Sequence, residues 1–155
     1  MSVTRWAARL MWGVVAVAMS GGVAWAAPPD PCSLLTAAQV SAALGATAGE
    51  GKAVTPKYCL WTAPGKDGGS QKVALTISDA QRFAYAKMPV NSPSITKTPV
   101  SGVGDEAVFG TTAGQAASMT VKKGDNYFSV SLMGVPMSNA QAVATQLAKE
   151  ALAKL

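Results

Sequence analysis

Apolar and polar positions alternate along "QKVALTIS", with Val73, Leu75 and Ile77 on one side of an extended chain and Lys72, Ala74, Thr76 and Ser78 on the other. A period of two predicts a half-buried β-strand. The preceding "PGKDGGS", residues 64–70, is a turn by composition, which hairpins this strand to another at residues 57–63. Farther along, "ASMTVKKGDNYFSVSLMG" repeats the arrangement. Met119 and Val121 face Phe128, Val130 and Leu132 across a turn at residues 123–126. "VSGVGDEAVFG" reads as a glycine-rich bend leading into a strand that carries Ala107 and Phe109.

The period changes to that of a helix in three places. Thr36-Ala37-Ala38-Gln39 has the form of a capping box, followed by Val40 and Leu44, which share a stripe with Leu35, and closed by Gly45. Asp79 is placed to cap a short helix with Phe83 and Tyr85 that stops before Pro89. Residues 138–155 spread Ala140, Val143, Ala144, Leu147, Ala148, Ala151, Leu152 and Leu155 over one broad face. The three prolines and missing periodicity of "PVNSPSITKTP", residues 89–99, predict a surface loop. The pattern therefore specifies an α+β fold of αββ-αβββα order: an antiparallel sheet of about five strands, with helices covering one face.

The first 26 residues read differently. Arg5 and Arg9 precede an apolar run from Leu10 to Trp25, and Ala24-Trp25-Ala26 supplies the small residues of a cleavage site ahead of Pro28-Pro29. This is the layout of a secretory signal peptide, residues 1–26, leaving residues 27–155 as a single α+β domain. Of the 13 basic residues two leave with the leader, so 11 stand against 8 acids. No basic run is interleaved with aromatics, which argues against nucleic acid as a partner. Cleavage also removes the apolar segment, so stable membrane insertion is not expected. The expected location is periplasmic or secreted.

Cys32 and Cys59 are the two cysteines of the chain. Cys32 stands several residues past the expected cut, where a lipid anchor would need it at the cut itself. The chain has no histidine and no C-x-x-C pair, so a metal site lacks ligands and a nucleophilic cysteine lacks its imidazole partner. An even number of cysteines in an oxidising compartment points to a single disulfide, Cys32–Cys59.

"PCSLLTAAQVSAALG", "YCLW", "SGVGDEAVF", "KKGDNYFSV" and an alanine-rich closing helix, in that order, resemble small exported bacterial proteins of a domain family of unknown function, many of them actinobacterial lipoproteins. The resemblance implies export and an α+β fold and transfers no catalytic residue. The chain departs from the lipoprotein members in having no lipobox.

The missing histidine also removes the usual general base and the serine triad. Asp105 and Glu106 are adjacent, so on a strand they point to opposite faces and cannot act as a pair. Ser94-Ile95-Thr96-Lys97 matches S-x-x-K, but the motif needs a helix and here sits between Pro93 and Pro99. Gly102 and Gly104 lack the rest of a dinucleotide fingerprint and suit a tight bend. Catalytic residues, metal ligands and a cofactor are thus not expected. Tyr58, Trp61 and Tyr127 are the candidate binding surface, against the simpler account that they pack in the core or beside the disulfide. The leading expectation is an exported, non-enzymatic binding or interaction module whose partner is an envelope protein or an apolar small molecule. The alternatives are a structural or stress-related envelope protein without a ligand and a histidine-independent hydrolase using lysine or carboxylates, which activity lost in Ser94→Ala or Lys97→Ala would support. A concave apolar pocket would favour the first over the second.

Overall fold

The computed structural model describes residues 29–155; the signal-peptide expectation falls outside them. The elements are α1 (Pro31–Leu34), α2 (Ala37–Leu44), β1 (Lys52–Thr55), β2 (Tyr58–Pro64), β3 (Ser70–Asp79), α3 (Phe83–Lys87), β4 (Ile95–Val100), β5 (Glu106–Thr112), β6 (Ala116–Lys123), β7 (Asn126–Met133) and α4 (Met137–Leu152). All seven strands form one antiparallel sheet in the order β1-β2-β3-β7-β6-β5-β4. Two three-stranded meanders, β1-β2-β3 and β5-β6-β7, run inward to meet at β3 and β7, and β4 adds an edge.

The alternation in "QKVALTIS" emerges as expected. Val73, Leu75 and Ile77 line up with Leu132, Val130 and Phe128, and these with Ala117, Met119 and Val121, all of them buried. This apolar face is covered by α1, α2 and α4. The capping box holds α2 as read: the Gln39 N–H donates to Thr36 Oγ1 at 3.2 Å and the Thr36 N–H to Gln39 Oε1 at 2.9 Å. Gly45 ends the helix in the left-handed region. Gln39 Nε2 then donates to Glu150 Oε2 at 2.6 Å, fastening α2 to α4. On α4, Ala140, Val143, Ala144, Leu147, Ala148 and Ala151 are buried. Leu155 lies beyond the helix and is exposed. Lys154 Nζ reaches the Ser33 carbonyl at 3.3 Å, so the end of the chain meets α1.

The fold corrects three expectations. The sheet has seven strands, not about five, and the order is ααβββ-αββββα. β1 was hidden because an edge strand exposed at every position carries no alternation. Residues 89–99 are not all loop, since β4 takes Ile95 through Val100 and pairs Pro99 with Val108. Proline is tolerated there because an edge strand leaves one side of its backbone without a ladder partner. The helices do not all lie on one face. After a 3-10 turn (Ala80–Arg82) that lacks a side-chain cap from Asp79, α3 crosses to the second face. There the Phe83 ring meets Tyr127 edge-on at 5.9 Å, and Tyr127 alternates with the core residue Phe128. Among the described residues, no helix is long and apolar enough to cross a membrane.

Candidate functional site

The second face of the sheet is paved with small and polar side chains: Ala74, Ser131, Ser118 and Gly110 stand in register from β3 to β5, flanked by Leu60 and Lys97. α3 lies over one corner of it and leaves a cleft of about 610 Å³ between itself, the β4–β5 hairpin and the segment 100–105. Phe83, Met88, Pro99, Val103 and Val108 give it an apolar lining. Met88 is 55% exposed at its mouth, next to Tyr85 at 69%.

Three local devices build this cleft. On one side, Lys87 forms an ion pair with Glu106 while its ammonium sits 5.4 Å from the Phe83 ring centroid. On the other, Lys97 Nζ donates to the Met88 and Tyr85 carbonyls at 2.9 and 3.3 Å. These carbonyls lie at the C-terminal end of α3, which attracts a cation; the Tyr85 carbonyl also accepts from the Met88 N–H at 3.2 Å. The third device is the bend at 101–105. Gly104 has φ +63°, and a Cβ there would lie 2.6 Å from both the Lys122 carbonyl oxygen and Val121 Cγ1. The approach lets the Asp105 N–H donate to the Lys122 carbonyl at 2.9 Å and drives Val103 into the core at 1% exposure.

Asp105 and Glu106 are separately engaged. The Asp105 carboxylate accepts from the Gly124 N–H at 2.7 Å and from Lys123 Nζ at 3.0 Å. These bonds, the backbone one first, hold its pKa below the usual carboxylate value. The Lys87 hydrogen bond does the same for Glu106. Because the folded form has the lower pKa, the Asp105 contribution is complete above the unfolded value of about 4 and disappears as pH falls through the folded value. Asp105→Asn is therefore expected to lower the melting temperature at neutral pH. The gap from the wild type should close in acid below about pH 4, which a melting series over pH measures.

The residues singled out from sequence are not gathered in one place. Cys32 and Cys59 form the disulfide, joining α1 to β2. Trp61 is 1% exposed and belongs to the core beneath the helices. Tyr58 is half-buried on the opposite face of the same strand. Tyr127 is half-buried against Phe83, and its burial raises the phenol pKa. It thus backs the cleft wall without lining the cleft. Ser94 lies in the turn before β4, where its carbonyl accepts from the Ala113 N–H at 2.6 Å. Its S-x-x-K partner Lys97 is on a strand, with its ammonium on the end of α3. The cleft residues Phe83, Lys87, Met88 and Val108 carried no sequence signal, since they come from two distant segments, α3 with its C-cap and β5, that only the folded chain brings together. Comparison with known protein families, with curated proteins and with solved structures gives no match to this chain.

Proposed function

We propose that this chain is an exported, non-enzymatic binding module that holds a small apolar molecule in the cleft under α3. The observation that carries the reading is the cleft itself. Its volume of about 610 Å³ falls within the range of roughly 300 to 1,000 Å³ typical of ligand sites, and its apolar lining with a few polar groups at the rim is their usual composition. The disulfide supports export, because such bonds persist in oxidising compartments.

The test is an NMR titration with 1-octanol, following the Met88 and Val108 methyl signals. Saturable shifts confined to the cleft are expected in the wild type. The Met88 shifts should be lost in Val108→Trp, where the indole fills the floor, with near-ultraviolet circular dichroism confirming that the variant is folded. Absence of saturable shifts at these methyls in the wild type would overturn the reading.

A further inference from the structure

Four charged side chains line the cleft: Lys87, Lys97, Asp105 and Glu106. Glu106 is neutralised by Lys87 and Asp105 by Lys123. Lys97 has no acidic partner among the described residues; it is held instead by two neutral carbonyl groups. An ammonium carries three donors, so two bonds leave one N–H for an incoming acceptor. Lys122 is close enough to depress the pKa of both Asp105 and Glu106, adding a second positive charge near the site without a salt bridge of its own among the described residues. The field at the rim is therefore positive, with its one uncompensated lining charge beside an apolar floor.

From this juxtaposition we infer that the ligand is a monocarboxylate with an apolar body, its carboxylate accepting from Lys97 Nζ and its body lying against Phe83, Val108 and Pro99. The inference rests on the binding reading above and narrows its ligand class. One negative charge suits the site. A second would meet Asp105 and Glu106, whose own lysines are already engaged. A cationic head would face Lys97 directly. The carboxylate also replaces nothing: the Met88 and Tyr85 carbonyls keep their donor, so α3 stays capped while the ligand is bound.

The experiment compares octanoate, octanol, octylammonium and octanedioate on the oxidised protein, with affinities read from the Met88 and Val108 methyl shifts. Octanoate is expected to bind about tenfold more tightly than octanol, the scale of one charge-assisted hydrogen bond at a partly exposed site. Octanedioate and octylammonium should bind more weakly than octanoate, and the octanoate advantage should shrink as salt is raised. In Lys97→Met the ratio of octanoate to octanol affinity should fall to near one, and Lys97→Arg should restore it. Should the uncharged end of Lys97→Met loosen α3, the arginine variant and the salt series still decide the point. If octanol binds and octanoate gains nothing over it, the carboxylate inference is overturned while the binding reading stands. If neither binds, the binding reading has failed first. A preference for octanoate that survives unchanged in Lys97→Met would also overturn the role given to this lysine.

Discussion

A Cys32→Ala/Cys59→Ala variant is expected to lose about 3.5 kcal/mol of stability, the loop-closure entropy of a bridge spanning 27 positions. The bond adds to the packing of Leu34 and Leu35, which α1 and its end bury in the core. α1 is a single turn, capped by the Asp30 carboxylate through the Cys32 N–H at 3.0 Å, and a helix of four residues is far below the length that is stable alone. Its partner is firmly placed, because Cys59, near the start of β2, is fully buried. Opening the bridge should therefore free α1 and the Leu34 and Leu35 side chains it inserts into the core, with the sheet remaining. Urea titrations of the oxidised protein and the double variant measure the difference. A loss below about 1 kcal/mol would mean that apolar packing alone orders α1, and that the chain-entropy account of this bridge is wrong.

Trp61→Ala is expected to cost about 4 kcal/mol, within the range for removing a buried large aromatic side chain. The indole is 1% exposed and pins the connection between α2 and β1 to the sheet. That connection is also held by the Ala48 N–H on Ser41 Oγ at 2.8 Å and the Gly49 N–H on the Thr62 carbonyl at 2.9 Å. At Gly51 the backbone rests on the ring itself: a Cβ there would lie 2.6 Å from Trp61 Cε2. Gly51→Ala should accordingly be destabilising in the wild type and nearly neutral once Trp61 is alanine. A double-mutant cycle in urea reads this coupling. Strict additivity of the two changes would show that glycine is needed at 51 for some reason other than the indole.

The parts of the fold that were legible in the sequence are those where one residue's neighbours in the chain determine its surroundings. Thr36 and Gln39 form their box from four consecutive residues, and the alternation of Val73, Leu75 and Ile77 records a sheet with one dry face. β1 and β4 escaped because edge strands are wet on both faces, so Lys52 to Thr55 shows no period and Pro99 looks like a breaker. The cleft was illegible for a different reason. Phe83 reads as an ordinary apolar residue of a short helix and Lys97 as half of an S-x-x-K pair, and nothing local tells that the lysine will cap the helix carrying the phenylalanine. Trp61 and Tyr127 show the same limit. Alternation placed Trp61 and Tyr58 on opposite faces, but only the helix packing decided which of those faces would be closed.

The contact between Lys154 and Ser33 brings the two ends of the described residues to one corner, on the side of the sheet that carries α1 and α4. The cleft opens on the other side, beneath α3. A tether, fusion partner or surface immobilisation attached at residue 29 or at residue 155 therefore leaves from the same place and leaves the cleft facing outward. Joining the two described ends, residues 29 and 155, through a short linker would close this part of the chain into a ring without crossing the cleft.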